Sequence, residues 1–127
     1  MYSQIVIDRF TNPKNAGHLK YADASGSAGN PDASDVIKYL IRVENNKIVE
    51  AKFKAFGCVV AIASADVVVD LIVNKTLENA SKITSSEVLD VLGEIDDNKI
   101  GCVSVAIEAL HQTLEDYKEK LEEEKER

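Results

Sequence analysis

Basic charge is in short supply in this chain. Its 127 residues carry 15 lysines and arginines against 22 aspartates and glutamates, a formal net charge of −7. Nonspecific nucleic-acid binding needs a basic face, so the balance argues against that class. A long apolar run is missing as well. The opening stretch MYSQIVIDRF mixes polar and acidic residues with apolar ones, and reads as neither a secretory signal nor a membrane span. Cysteine is scarce, with only two. In a chain read as leaderless, two cysteines point to a reducing cytoplasm, and to metal or catalytic use ahead of a structural disulfide. There is no phosphate-binding loop, no Ser-His-Asp set and no zinc-hydrolase motif, so a non-catalytic role is expected. Internal repeats and linkers are absent too. What remains is an ordinary globular composition, 45% hydrophobic and 29% charged, sized for one domain over residues 1–127.

The hydrophobic pattern changes period along the chain. Tyr2, Ile5, Val6 and Arg9 recur at helical spacing, and Asn12-Pro13 stops that helix. Residues 14–34 are rich in Gly, Ala, Ser, Asn and Asp and read mainly as loop, with a short strand near Leu19 to Ala24. Strict alternation follows. Ile37, Tyr39, Ile41 and Val43 share one strand face, with Lys38 and Arg42 on the other. After the turn Glu44-Asn45-Asn46-Lys47, the residues Val49, Ala51, Phe53 and Ala55 continue the inner face on a second strand. Cys58 to Val73 is apolar almost all round, which marks a central, largely buried helix. Thr76 caps a short helical turn. Thr84-Ser85-Ser86-Glu87 has the form of a capping box, opening a helix through Leu92 that stops at Gly93. From Cys102 a last helix repeats Val103, Ala106, Ile107, Leu110, Leu114, Tyr117 and Leu121, and residues 115–127 form its solvated, charged end. Strands first and helices after is an α+β layout: a small three-stranded antiparallel sheet with helices packed on one face.

Both cysteines follow glycine, in Gly57-Cys58 and Gly101-Cys102, and each pair opens a helix-patterned run. A thiol there meets the unpaired N–H groups and positive dipole end of the helix, which favour thiolate. Thiolate is the form that binds soft metals or attacks sulfur. The plain alternative is that both are small buried hydrophobes. Asp66 and Asp70 share a face of the central helix. Their plain reading is a solvated stripe or a pairing with a cation such as Arg42.

The chain resembles the IscU/NifU N-terminal family of iron–sulfur cluster assembly scaffolds nearly end to end. The residues that carry the resemblance are Asn12-Pro13-Lys14-Asn15-Ala16-Gly17, Lys54-Ala55-Phe56-Gly57-Cys58 followed by Ala61-Ile62-Ala63-Ser64, and Lys99-Ile100-Gly101-Cys102. Gly29-Asn30-Pro31-Asp32-Ala33-Ser34-Asp35 sits where the family has a Pro-x-Cys-Gly-Asp loop. The interval from Cys58 to Cys102 lacks the insertion of the zinc-dependent SufU branch. The resemblance implies a site of three cysteines, one histidine and one aspartate. Such a site holds a transient [2Fe–2S] cluster, or zinc in its place. Sulfur arrives from a cysteine desulfurase, and apo iron–sulfur proteins receive the cluster.

Carried over residue by residue, the implied metal and cofactor ligands that survive are Asp35, Cys58 and Cys102. Ala33 stands at the first cysteine position and Gly101 at the histidine position, and neither offers a ligand atom. Ile95-Asp96-Asp97-Asn98-Lys99 replaces the Leu-Pro-Pro-Val-Lys stretch that recruits a dedicated Hsp70 chaperone, which puts that partner in doubt. Two thiolates and a carboxylate fall short of the four ligands a [2Fe–2S] cluster takes. Asp32 or His18 is a conceivable fourth ligand. His111, nine residues past Cys102, lies half a turn off its face. A homodimer in which each copy supplies Cys58 and Cys102 completes a Cys₄ set more cleanly. Two other readings stay open: a cluster-free paralogue that regulates a cysteine desulfurase, and a thiol module that passes sulfur or forms a disulfide.

Overall fold

The computed structural model describes residues 2–30 and 35–125. Its elements in chain order are α1 (Gln4–Thr11), β1 (Ala24–Asn30), β2 (Asp35–Glu44), β3 (Lys47–Phe56), α2 (Val59–Ile72), α3 (Leu77–Ala80), α4 (Ser85–Leu92) and α5 (Ile100–Lys125), with a single 3₁₀ turn, Asp97–Lys99, before α5. The strands form one antiparallel sheet in the order β1-β2-β3, and the helices pack on one face of it. This is the expected α+β architecture. Among the described residues, no helix is long and apolar enough to cross a membrane.

Local chemistry explains the boundaries. Asn45 and Asn46 both adopt positive φ, +53° and +64°, the conformation a two-residue hairpin turn needs and asparagine tolerates. Thr76 accepts from the Asn79 N–H, and Thr84 from the Glu87 N–H, so both predicted caps form. Ser3 caps α1 in the same way, accepting from the Val6 N–H.

Two strand expectations need correction. The first strand runs over Ala24–Asn30, later than the stretch near Leu19 to Ala24. Its sequence, ASGSAGN, has no β-branched residue, because α5 lies almost directly on its backbone. A Cβ on Gly26 would stand 2.7 Å from the Thr113 Cα, with other backbone atoms of α5 nearer still. Two α5 side chains hold the strand: the Asp116 carboxylate accepts from the Ser25 N–H at 3.0 Å, and the Thr113 hydroxyl donates to the Gly26 carbonyl at 3.3 Å. In β3, Ile48 is the fully buried residue and Val49 is only half-buried. A bulge between Arg42 and Val43 shifts the register, so Val43 faces Ile48 and the alternation restarts one residue early.

The free edge of β3 is covered by irregular chain. The Phe53 N–H donates to the Asn15 carbonyl at 3.1 Å, and the Gly17 N–H donates to the Phe53 carbonyl at 2.9 Å. Farther along, the Ile48 N–H and carbonyl bond Lys75 and Asn74. An edge closed in this way cannot add a further strand. The core fills the space between sheet and helices: Tyr39, Phe53, Ile37, Ile41, Ile72 and Leu110 are fully buried there, with α2 central as its composition foretold.

Candidate metal centre

The sheet register builds the site. Val36 pairs with Phe56, which places Asp35, the first residue of β2, beside Gly57 as the chain leaves β3. Gly57 has φ +151°, a conformation that side-chain-bearing residues avoid, and a Cβ there would come within 3.0 Å of the Asp35 Cα. Glycine is therefore required for β3 to turn past Asp35 into α2. Cys58 is the N-cap residue of α2, in extended conformation, and its side chain makes no capping bond. Cys102 is the third residue of α5 and is buried.

These three side chains meet. The Cys58 and Cys102 Sγ atoms are 3.3 Å apart, and the Cys58 Sγ lies 3.7 Å from the Asp35 Oδ2. The three ligand atoms all lie within 4.8 Å of one another. Two thiolates on one tetrahedral ion, with bonds of about 2.3 Å, stand about 3.8 Å apart, so a small opening of the pair admits a metal. Asp35, fully buried, also fills the plain role of a strand-start carboxylate: its Oδ1 accepts from the Cys58 N–H at 2.9 Å. One oxygen thus secures the helix start while the other faces the thiols. The donor set, two soft sulfurs and one hard oxygen, suits zinc or iron.

The expectation that both helix starts favour thiolate fails at Cys102. Burial, the hydrogen-bonded Cys58 thiol and the Asp35 carboxylate together push its pKa up to about 12. Burial, with a second sulfur and a carboxylate at contact distance, outweighs the dipole of α5. A cation bound through Cys102 would have to displace the thiol proton.

The remaining candidates among the described residues do not join the group. His18 and His111 are exposed and lie outside it. Asp32 and Ala33 lie outside the described residues. Among the described residues, a Cβ on Gly101, next to Cys102, would meet nothing within 4 Å. Exposed apolar side chains rim the site positions in sequence: Phe56 is 75% exposed, Val36 48% and Ile100 37%, each one or two residues from a site position. Sequence reading missed this rim, although alternation from the buried Phe53 already put Phe56 on the outer face.

Asp66 and Asp70 form a separate cluster, and their partner is Arg9 of α1 rather than Arg42. Arg9 lies 2.9 Å from Asp66 and 2.6 Å from Asp70. The Asn15 N–H donates to the Asp66 Oδ1 at 2.9 Å, and its amide bonds the Asp66 carbonyl and Asp70. Arg42 pairs instead with Glu44 and Glu50 on its own hairpin. Burial alone would raise the Asp70 carboxyl, but hydrogen bonds from Arg9 and Asn15, with the charges of Arg9 and Lys14, hold it below its ordinary value. The signal for this clamp was the Asn12-to-Gly17 motif, which ties the N-terminal segment to α2.

The sequence profile of the NifU-like N terminal domain matches residues 1–124. The iron-sulfur cluster assembly scaffold protein IscU 1 of Archaeoglobus fulgidus is 39% identical over 117 residues, 92% of this chain and 76% of that protein. The scaffold protein IscU of Escherichia coli K12 is 38% identical over 125 residues, 95% of this chain and 97% of its own length. Among solved structures, the N-terminal part of a nitrogen-fixing NifU-like protein from Brucella abortus superposes with a TM-score of 0.78, covering 93% of this chain and 94% of that one; at 11% identity it attests the fold alone.

Proposed function

The chain belongs to the NifU-like N-terminal domain family, and from that premise we propose that it is an iron–sulfur cluster assembly scaffold or carrier with an altered ligand set. Residues 1–127 act as one domain. Asp35, Cys58 and Cys102 bind iron, as a [2Fe–2S] cluster, or zinc in its place. The reading rests chiefly on one observation, the meeting of these three ligand atoms within 4.8 Å at the junction of β2, α2 and α5. The cluster is cargo. Its sulfur comes from a cysteine desulfurase, and apo iron–sulfur proteins take it up.

Two copies hold one cluster. Each supplies two thiolates, and together they make the usual set of four. The space at Gly101 among the described residues and the exposed Phe56, Val36 and Ile100 support this arrangement, because apolar surface near an incomplete site favours a second copy over water. Asp35 contributes a hard oxygen that holds iron less firmly than sulfur does, which suits a site that must release its cargo.

Anaerobic reconstitution with ferrous iron and sulfide tests the reading. The expected result is visible charge-transfer absorption that Cys58→Ala and Cys102→Ala each abolish. Absence of loading under every condition, alongside tight binding to a cysteine desulfurase, would favour a cluster-free regulator of that enzyme instead.

A further inference from the structure

The geometry points to a second use of the same thiol pair: in the metal-free protein, Cys58 and Cys102 form a reversible disulfide when they meet a hydroperoxide. It shares residues with the scaffold reading but stands on the thiol arrangement alone. The two sulfurs are already 3.3 Å apart, against about 2.05 Å in a disulfide, so only a small closing movement separates them from bonding distance. The Cys58 sulfur makes no capping bond to α2 that would hold it away from Cys102. Cys58 is also the more accessible member, half-buried, while Cys102 is buried. That is the order of an attacking thiol and a resolving thiol. No other cysteine exists in the chain to compete.

The chemistry balances with the hydroperoxide as the oxidant. The Cys58 sulfur attacks the terminal peroxide oxygen, the O–O bond breaks, and an alcohol (water, for hydrogen peroxide) leaves, giving a sulfenic acid. The Cys102 sulfur then attacks the Cys58 sulfur, the S–O bond breaks, and the departing hydroxyl takes the Cys102 proton and leaves as water. Two thiols give up two electrons, and the peroxide takes them. The bond would tie the start of α2 to the start of α5 across 44 residues, constraining the unfolded chain, and would remove both thiolates from metal binding. A loaded scaffold is shielded, and an empty one is parked in a form that a thiol reductant reopens.

The experiment treats metal-free full-length protein with one equivalent of hydrogen peroxide and follows intact mass, free thiols and size under non-reducing conditions. The expected product is a monomer about 2 Da lighter with both thiols lost together, restored by dithiothreitol. It should melt at a higher temperature than the reduced form. Cys102→Ser should instead stop at a sulfenic acid at Cys58 that dimedone traps. Prior loading with zinc should slow the reaction at least ~10-fold, since a coordinated thiolate is not free to attack. Oxygen adducts without the 2 Da loss, chains linked to each other by disulfides, or an unchanged rate in protein shown to hold zinc would each overturn the inference. Disulfide formation in protein that binds neither zinc nor iron would uphold it and count against the scaffold reading.

Discussion

Helix α2 carries two polar clusters about two turns apart, one at Cys58 and one at Asp66, and they differ in how completely they are satisfied. At Asp66 both carboxylate oxygens have partners, from Arg9 and from the Asn15 N–H, and Asp70 shares the same guanidinium. At Cys58 one Asp35 oxygen accepts an N–H, while the other oxygen and the two sulfurs face each other. No ion pair reaches Asp35 among the described residues. A buried acid whose charge is already neutralised within the protein is a structural device. A buried carboxylate with two thiols and no cation is a set of donors for one. The first cluster fastens the N-terminal segment to the core, and the second is available to a metal.

Substitutions should separate the two clusters. The largest effect is expected from Cys58→Ser or Cys102→Ser. Each should weaken zinc binding, measured by competition with a chelating dye, by at least about 100-fold, beyond the ~10–100-fold that losing an outer partner costs. Urea unfolding of the metal-free form should move little. Arg9→Met should do the reverse. It leaves Asp66 buried without its cation, costing about 2–3 kcal/mol of stability by denaturant titration, with zinc affinity unchanged. A variant of one cluster that altered both properties equally would erase the distinction.

Gly101→His should raise zinc affinity about 10-fold by adding an imidazole ligand, since a Cβ there meets none of the described residues within 4 Å. The smallest effects are in pH dependence, and they have opposite signs. Asp70 is held below its ordinary value, so its contribution is complete above about pH 4 and is lost as the pH falls through its folded-state pKa. Cys102 is raised from 9.0 to about 12, so its contribution is complete below pH 9 and is lost as the pH rises towards 12. Metal-free wild-type protein should therefore lose stability relative to Cys102→Ser across that alkaline window, and a constant difference would contradict the assigned shift.

Much of the fold was legible because period and punctuation agreed. The alternation from Ile37 to Val43, the Asn45-Asn46 turn and the Thr84-to-Glu87 capping box each specify local geometry without outside help. The strand Ala24–Asn30 was misplaced because its residues are chosen by the approach of α5 rather than by strand propensity. The bulge at Val49 was hidden for a related reason: either Ile48 or Val49 can face inward, and only the pairing with β2 decides. At the site, the Gly-Cys pairs and Asp35 could be singled out from sequence, and the register of β2 with β3 explains why they meet. The raised Cys102 pKa was not legible, because it arises from burial in the folded core and from neighbours 44 and 67 residues away in the chain, Cys58 and Asp35. The Arg9–Asp66 pairing was equally invisible to local pattern, since the two lie 57 residues apart.

The decisive observation is the iron and sulfide content of reconstituted protein resolved by size under anaerobic conditions. A site with two thiolates per chain should load at most one cluster per two chains, with the iron eluting in a dimer or larger species that a chelator returns to monomer. One full cluster on each monomer, with Gly101 and Ala33 unaltered, would contradict sharing between copies and require a fourth ligand from within the chain.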